Sequence, residues 1–278
     1  MDLKIVIAGL GLIGGSLAKA FKKYTGCSIS GFDKDQAVLK SALECGAIDS
    51  IGGEKSLSSA DIIYLCLYPK DDIDFINGHI GSINKGCIVT DTCGIKTSIF
   101  SALSKAAEKG GFVYVGGHPM AGKEKNGFAV SDADLFKGAS YILVPGGAPK
   151  SAVELLKKAA LALGFGSTIE TTPQEHDRMI AFTSQLPHVI ACAYVMSPQC
   201  PKHNGFSAGS YHDVSRVADI NETMWTELFL DNSKALTEEL DILISNISKI
   251  RSATASGDAE TLRGLLKKAR VIKERLGE

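Results

Sequence analysis

Residues 4–16 read Lys4-Ile5-Val6-Ile7-Ala8-Gly9-Leu10-Gly11-Leu12-Ile13-Gly14-Gly15-Ser16, an apolar strand that runs directly into a glycine-rich turn and a helix. In this order, Gly9 permits the tight turn, Gly11 lets the backbone approach a phosphate, and Gly14 lets the helix pack closely on the strand. The helix directs free N–H groups and the positive end of its dipole towards an anion. The stretch therefore predicts a site for the pyrophosphate of a dinucleotide.

An acidic residue follows the next apolar run at the spacing that a dinucleotide site requires. Residues 28–33 read Ser28-Ile29-Ser30-Gly31-Phe32-Asp33, a second strand that ends in a carboxylate. An acid at this position suits the 2′,3′-diol of an NAD ribose and repels the 2′-phosphate of NADP. An isolated glycine pattern can be an ordinary turn, but the strand, the helix and the acid together favour NAD binding.

The first part of the chain alternates short apolar runs with amphipathic stretches. Strands are predicted at 4–8, 29–33, 62–67, 87–91, 112–116, 141–144 and 167–170, and helices at 13–24, 37–44, 98–109 and 152–163. This alternation predicts an α/β dinucleotide-binding domain over residues 1–171, built on a doubly wound, mostly parallel sheet. The carboxyl ends of such strands meet at one edge of the sheet, where ligands bind. The residues expected to contact NAD there are Gly9, Gly11, Leu12, Ile13, Gly14, Asp33, Leu67, Tyr68 and Thr92.

The rest of the chain is helical in pattern. Residues 172–175 (Thr-Pro-Gln-Glu) form a capping box with proline at the first helical position, and the helix is predicted to run through His188. A long amphipathic segment spans 225–250, and a final helix follows Gly257. We expect an all-helical substrate and dimerisation domain over 172–278. Its apolar stripe favours a homodimer, with packing inside one chain as the alternative.

The composition is that of a soluble globular protein. The chain has 278 residues, of which 45% are hydrophobic and 22% charged, and its formal net charge is −1. This charge favours neither a nucleic-acid partner nor an anionic membrane, and apolar runs such as 62–67 are too short to cross a bilayer. The first strand begins almost at the N-terminus, so no signal peptide is expected. Seven cysteines without metal-site spacing favour free thiols in the cytoplasm.

Two side chains in a segment of small residues are candidates for chemistry. His118 follows a strand predicted to end at the cofactor edge, and Pro119 restricts the backbone beside it. Hydride transfer to NAD needs a base for the proton that leaves the substrate, so we predict that His118 is this base, although a lone histidine is usually structural. Glu124 could orient a charged group or be a solvated acid.

Two further candidates come from the helical part. Pro187 inside a helix frees a backbone carbonyl and bends the axis, which could aim His188 into a cleft. The Arg216 guanidinium suits a carboxylate, although a surface pair with Asp213 is the simpler interpretation. Trp225 could line a pocket or begin the core of its helix. The remaining histidines have no comparable context and are assigned no role: His79, His176, His203 and His212.

These motifs together resemble the prephenate/arogenate dehydrogenase family. The resemblance rests on the glycine-rich turn, on His118-Pro119-Met120-Ala121-Gly122 with Glu124-Lys125, on Leu186-Pro187-His188, and on Arg216-Val217-Ala218 with Trp225. It extends over essentially the whole chain. It implies a stand-alone enzyme of tyrosine biosynthesis that oxidises and decarboxylates prephenate to 4-hydroxyphenylpyruvate with NAD, or arogenate to tyrosine. It also implies a homodimer formed through the helical domain.

The resemblance also assigns roles to individual residues. His118 holds the substrate hydroxyl and accepts its proton, and His188 and Arg216 hold the substrate carboxylates. Trp225 and Glu124 correspond to positions in the substrate pocket or at its gate.

The sequence departs from the family pattern at two substrate-binding positions. The usual Asp-x-x-Ser-x-Lys stretch is Asp91-Thr92-Cys93-Gly94-Ile95-Lys96 here, so Gly94 replaces a hydroxyl group. Thr92 or a water could substitute for it. The usual Ser/Thr-His-Leu-Pro-His reads Ser184-Gln185-Leu186-Pro187-His188, so Gln185 replaces a histidine. This change could shift the preference between prephenate and arogenate.

Two other functions stay open on sequence grounds. A β-hydroxyacid dehydrogenase has the same kind of cofactor domain but relies on a lysine-containing helix, whereas the corresponding helix here carries Gln185, Pro187 and His188. A redox sensor that binds NAD(H) without turnover would tolerate Gly94 but has no need of His118. The chain after the final helix is too short for a regulatory or mutase domain, so any inhibition by tyrosine is expected to act at the active site or through a partner.

Overall fold

The first part of the chain forms an eight-stranded sheet. The computed structural model describes residues 1–123 and 125–277. Within this range the strands are β1 (Lys4–Ala8), β2 (Ser28–Phe32), β3 (Ser50–Ile51), β4 (Ile62–Leu65), β5 (Ile88–Asp91), β6 (Val113–Pro119), β7 (Ser140–Val144) and β8 (Ser167–Glu170). Their order in the sheet is β3-β2-β1-β4-β5-β6-β7-β8, and β6 pairs antiparallel with β7 while the other pairs are parallel. The predicted doubly wound, mostly parallel sheet is confirmed.

Helices cover both faces of this sheet. Those that precede or connect the strands are α1 (Leu12–Tyr24), α2 (Gln36–Glu44), α3 (Glu54–Ser59), α4 (Pro69–His79), α5 (Thr97–Gly110) and α6 (Lys150–Ala162). Side chains alternate along β1, so Ile5 and Ile7 pack with α1, α2 and α6, whereas Val6 and Ala8 pack with α3, α4 and α5. Because both faces are buried, strands such as β1 and β4 are continuous apolar runs.

The sequence pattern missed three short or polar elements. Strand β3 has two residues and α3 has six, which is too short for a hydrophobic period to be recognised. Helix α4 begins with Pro69 and carries acidic residues in its first turn, and these are typical helix-start signals.

Strand β6 is longer than predicted, and this changes the setting of His118. The prediction ended the strand at residue 116 and placed His118 in the loop behind it. In the structure β7 pairs antiparallel with the far end of β6, and His118 lies opposite Ile142. The additional partner extends the strand, so His118 is a strand residue and the loop placement was wrong.

The elements after β8 are helical throughout the described chain. They are α7 (Pro173–Ile180), a π-helical turn (Ala181–Gln185), α8 (Leu186–Val195), α9 (Gly209–Ser215), α10 (Glu222–Asp231), α11 (Ser233–Ser256) and α12 (Ala259–Leu276). The helix predicted to run through His188 is therefore interrupted just before Pro187. Proline has no N–H for the carbonyl four residues earlier, and a π-helical turn is a common way to absorb that loss.

The amphipathic segment 225–250 is also divided, at Asn232. Its buried side-chain amide donates to the carbonyl oxygen of Asp177 at 2.9 Å and to Oε1 of Gln185 at 2.7 Å. The side chain of Asn232 thus points into the protein and hydrogen-bonds the junction of α10 and α11 to α7 and to the π-helical turn. No helix among the described residues is long and apolar enough to span a membrane.

Candidate active site

The glycine-rich turn has the geometry of a dinucleotide site. Gly9 has φ +92°, and its N–H donates to the carbonyl oxygen of Phe32 at 2.8 Å. A Cβ on Gly14 would lie 1.8 Å from the carbonyl oxygen of Gly9, so helix α1 packs against the turn as closely as backbone allows. A Cβ on Gly11 would meet no protein atom within 4 Å, which leaves open space at the start of α1. The residues present therefore fit a bound pyrophosphate.

The predicted ribose-binding acid is held beside this turn. Asp33 Oδ2 accepts the Leu10 N–H at 2.8 Å, and Oδ1 accepts the Asp35 N–H at 2.9 Å. Both hydrogen bonds fix the carboxylate where it can accept from a ribose diol. This position fits NAD better than NADP because a second anion would be repelled there.

Leu12 and Ile13 begin α1 beside the turn, and the remaining predicted cofactor residues follow the neighbouring strands β4 and β5. Thr92 donates through Oγ1 to the carbonyl oxygen of Leu65 at 3.1 Å, and Tyr68 is exposed at the start of α4. The Leu67 N–H donates to Asp72 Oδ1 at 3.1 Å, and burial raises the pKa of Asp72 to about 7. The structure thus brings the predicted cofactor residues to one edge of the sheet.

Substituting Gly14 with alanine is expected to weaken both the fold and cofactor binding. The new Cβ must push α1 away from the turn, which costs about 1–3 kcal/mol of unfolding free energy and should raise the Kd for NAD+ at least tenfold. Gly11→Ala is the matched control, because its Cβ meets no protein atom. That variant should keep the wild-type Tm while binding NAD+ more weakly. Tm values and NAD+ titrations test both, and an unchanged Tm for Gly14→Ala would contradict this packing argument.

A buried ion pair organises the segment between β5 and α5. Lys96 Nζ lies 2.8 Å from Asp91 Oδ1, and both side chains have 0% exposure. The ammonium also donates to the carbonyl oxygens of Cys93 at 2.5 Å and Ile95 at 3.3 Å. These contacts fold the 92–96 segment around the lysine, so its shape depends on that one charge.

The Asp91 carboxylate also reaches the strand that carries the candidate base. Its Oδ2 accepts from the Tyr114 hydroxyl at 2.7 Å and from the Gly117 N–H at 3.3 Å. Gly117 directly precedes His118 in β6. The ion pair therefore fixes the 92–96 segment and the backbone beside His118 at the same time.

The imidazole of His118 belongs to a chain of three side chains. His118 Nδ1 lies 2.9 Å from His176 Nε2, and His176 Nδ1 lies 2.7 Å from Asp177 Oδ1. Burial, the nearby Lys96 ammonium and the His176 ring lower the pKa of His118 well below its ordinary value of 6.5. His118 is therefore neutral at neutral pH, which is the state that a proton acceptor needs.

Helix α10 faces this histidine across Gly94. A Cβ on Gly94 would lie 4.0 Å from His118 Nε2 and 3.8 Å from a methyl group of Leu228. One turn earlier on α10, the Trp225 ring stacks on the His188 imidazole, with 3.9 Å between the ring centroids. His188 Nδ1 lies 2.8 Å from the carbonyl oxygen of Ser184, which orients the ring. The structure thus places His188 of α8 against Trp225 of α10, and Leu228 brings α10 close to Gly94 and His118.

The remaining predicted substrate residues occupy different settings. Gln185 is buried, and its amide donates to the carbonyl oxygen of Leu228 at 2.9 Å while its own oxygen accepts from Asn232. It therefore anchors α10, the helix that carries Trp225. Arg216 is exposed in a short helical turn (Arg216–Ala218) that packs against α8, the helix of His188. Glu124 lies outside the described residues.

Sequence reasoning missed the polar residues that support His118. His176 and Asp177 had no assigned role, although the capping box at 172–175 places both in the first turns of α7. Their partners lie 58 and about 80 positions away along the chain. A local sequence pattern cannot predict contacts between residues so far apart in the chain. The one available signal of a role for His176 and Asp177 was a histidine next to an aspartate near the start of a helix.

Comparison with known proteins gives one answer for the whole chain. Residues 17–167 match the family model for the nucleotide-binding domain of prephenate dehydrogenase, and residues 172–268 match the model for its dimerization domain. The prephenate dehydrogenase of Bacillus subtilis is 33% identical over 98% of this chain and 76% of its own length. The cyclohexadienyl dehydrogenase of Zymomonas mobilis is 32% identical over 93% of this chain and 90% of its own length.

A solved structure extends the match to the whole fold. Prephenate dehydrogenase from Aquifex aeolicus, in complex with hydroxyphenyl propionate and NAD+, aligns with a TM-score of 0.86 and 25% identity over 99% of this chain and 98% of that one. The expectation of a nucleotide cofactor is thereby confirmed, and an enzyme is favoured over a non-catalytic sensor. The chain therefore belongs to the prephenate dehydrogenase family, as its sequence motifs predicted.

Proposed function

We propose that this protein oxidises prephenate with NAD+, releasing CO2 and forming 4-hydroxyphenylpyruvate. The observation that carries the proposal is a neutral, oriented His118 at the carboxyl edge of the sheet, facing helix α10 across the open position of Gly94. Gly9, Gly11, Gly14 and Asp33 would hold the cofactor in the site described above. Bound NAD+ supplies the acceptor for the hydride that leaves the carbinol carbon.

The protein's own groups provide alignment and one proton acceptor. Nε2 of His118 accepts the hydroxyl proton as the carbinol carbon becomes a carbonyl. The bond from the ring to its carboxylate then breaks, and its electron pair completes the aromatic ring as CO2 leaves. The phenol oxygen takes a proton back, so the reaction balances. Because aromatisation supplies much of the driving force, the site chiefly has to orient the substrate.

Two side chains have the chemistry to bind the carboxylates of prephenate. Arg216 offers a planar fork, which is the geometry that binds a carboxylate through two hydrogen bonds. His188 donates from Nδ1 to the carbonyl oxygen of Ser184, so its Nε2 can donate to a carboxylate only when the ring carries both protons. Trp225 stacks on His188 and fixes the plane of its ring.

Arg216→Ala is expected to act mainly on substrate affinity. Loss of a charge-assisted hydrogen-bonding group should raise KM for prephenate by about ten- to a hundredfold, with a smaller change in kcat and none in the Kd for NAD+. Arg216→Lys keeps the positive charge but loses the planar fork. Its KM for prephenate should lie between the values of the wild type and of Arg216→Ala. Steady-state kinetics measure these effects, and an unchanged KM for Arg216→Ala would remove this residue from the site.

Gly94→Ser is expected to raise kcat/KM. Gly94 lacks a positive φ, and its Cβ position is 4.0 Å from His118 Nε2, so a serine hydroxyl has room between the imidazole and the substrate. One additional hydrogen bond to the reacting alcohol contributes about 1 kcal/mol, or roughly fivefold in kcat/KM. Gly94→Ala adds the same Cβ without the hydroxyl and should leave kcat/KM near the wild-type value. Equal rates for the two variants would contradict this role for position 94.

The direct test is NADH formation, followed at 340 nm, by the purified protein with prephenate and arogenate offered separately and with NAD+ or NADP+. Turnover of prephenate with NAD+ is the expected result. Turnover of arogenate alone would retain the mechanism and change the substrate, with Gln185 the first residue to exchange. Binding of NAD+ without turnover of either compound would overturn the proposal.

We also propose that the helical part forms a homodimer. The match to a dimerization domain supports this, as do large apolar side chains exposed on α11 and α12. These include Ile242, Ile244, Ile247, Leu266 and Ile272. Light scattering should give twice the 29.4 kDa mass of the chain. A monomer at micromolar concentration would contradict the proposal.

A further inference from the structure

Three side chains on two elements form a continuous hydrogen-bonded chain that ends at the candidate base. Asp177 and His176 lie on α7 and are 4% and 2% exposed, and His118 lies on β6. The contacts join Asp177 Oδ1 to His176 Nδ1 at 2.7 Å and His176 Nε2 to His118 Nδ1 at 2.9 Å. The two rings are tilted by 56° with centroids 5.1 Å apart, so they meet through their nitrogen atoms rather than by stacking.

The Asp177 end of this chain is fixed as an acceptor. Its two oxygens accept the backbone N–H groups of Lys96 and Thr97, both at 2.7 Å. Burial raises the pKa of Asp177, but the hydrogen bonds from His176, Thr97 and Lys96 outweigh it and hold the pKa below its ordinary value. An ionised carboxylate can only accept hydrogen bonds. It therefore sets the direction of every hydrogen bond that follows.

The proton positions then follow one from another. His176 must donate to Asp177 from Nδ1, so the Nε2 of a neutral His176 carries a lone pair and can only accept. His118 must therefore donate from Nδ1, and its own Nε2 is left unprotonated. That nitrogen is the one that faces the Gly94 position and α10.

We propose that His176 is a positioning residue that fixes His118 in the tautomer protonated at Nδ1, with Asp177 setting the direction of the chain. The inference rests on the proposed role of His118 as proton acceptor. The contact with His176 leaves Nε2 of His118 unprotonated before the substrate binds. A ring nitrogen that has already lost its proton can accept one from the substrate, whereas the opposite tautomer cannot. The group that hydrogen-bonds one ring nitrogen of a histidine commonly fixes which of the two nitrogens carries the proton.

The hydrogen bonds from Asp177 through His176 to His118 also explain how the imidazole is oriented although Gly94 offers no hydroxyl group. No side chain extends from Gly94 towards the Nε2 side of His118, so the ring is oriented from its Nδ1 side. A backbone-anchored carboxylate is well suited to this, because Lys96 ends the segment that the buried ion pair holds in place and Thr97 follows it at the start of α5.

The test compares His176→Gln with His176→Asn in the full-length protein. The glutamine amide oxygen can reach the position of His176 Nε2 and accept from His118, whereas the shorter asparagine reaches only the position of Nδ1. His176→Gln should keep kcat within about fivefold of the wild type, and His176→Asn should lower it by about ten- to a hundredfold. The Kd for NAD+ and the KM for prephenate should change little in either variant. Equal kcat values for the two would overturn the proposal.

A spectroscopic measurement decides the tautomer without relying on activity. In 15N-histidine-labelled wild-type protein, the His118 signals, identified by their loss in His118→Asn, should show a protonated Nδ1 and a bare Nε2. In His176→Asn the proton should move to Nε2 in a large share of molecules. A wild-type His118 protonated at Nε2 would overturn the proposal even if His176→Asn failed to fold. A wild type that turns over neither prephenate nor arogenate, yet shows the expected tautomer, would overturn the proposed function alone.

Discussion

His118→Asn is expected to lower kcat by about 10²- to 10⁴-fold, the range for loss of a positioned proton acceptor. The substitution suits the structure, because the asparagine amide can occupy the place of His118 Nδ1 and continue to donate to His176. What is lost is the Nε2 atom that faces Gly94, where we propose that the substrate hydroxyl binds. The fold and the cofactor site should therefore remain intact, with the damage confined to the chemical step.

Steady-state kinetics and an NAD+ titration on the same preparation test this expectation. The Kd for NAD+ should stay within about twofold of the wild type, since the glycine-rich turn and Asp33 are unaffected. A large rise in that Kd, or a Tm lowered by many degrees, would indicate a structural role instead. A kcat close to the wild-type value would place the proton acceptor elsewhere.

Lys96→Met is expected to lower the free energy of unfolding by about 3–5 kcal/mol, the cost of leaving one member of a buried ion pair without its partner. The methionine fills most of the lysine volume, so the loss is chiefly electrostatic. Asp91 would keep its bonds from Tyr114 and Gly117 but would face no cation. The carbonyl oxygens of Cys93 and Ile95 would lose their donor as well.

Urea denaturation measures this loss of unfolding free energy. Two further variants show whether it comes from the unpaired buried charge. Lys40→Met removes one side of an exposed pair with Glu44 and should change stability by less than about 1 kcal/mol. Lys96→Met combined with Asp91→Asn removes both charges and should recover part of the loss. A change below about 1 kcal/mol for Lys96→Met alone would show that the buried pair contributes little to the fold.

Much of the fold was predictable because its signals are local. The strand, turn and helix of residues 4–24 are adjacent in the chain. The alternation of apolar runs and amphipathic stretches predicts further strands and helices as far as β8. The predicted strand ends then put His118 and Thr92 at the cofactor edge. What the sequence could not supply was the far end of β6, because an antiparallel partner that begins at Ser140 determines where that strand stops.

The support of the site was less predictable than its central residue. His118 could be found because it follows the predicted strand 112–116, but His176 gains a role only when α7 brings it to His118 of β6. Asn232 shows the same limit in the helical part. Its spacing fits a continuous helix, and only its hydrogen bonds to Asp177 and Gln185 make it a break between α10 and α11.

The location of His118 within a paired strand has a consequence for the catalytic cycle. A histidine on a hydrogen-bonded strand does not travel with a lid, so the substrate must come to a stationary partner. The groups proposed to hold the carboxylates lie instead on α8 and on the turn that contains Arg216. Uptake of substrate and release of product are therefore expected to involve displacement of this helical layer, and solvent viscosity should slow turnover most when that displacement limits the rate.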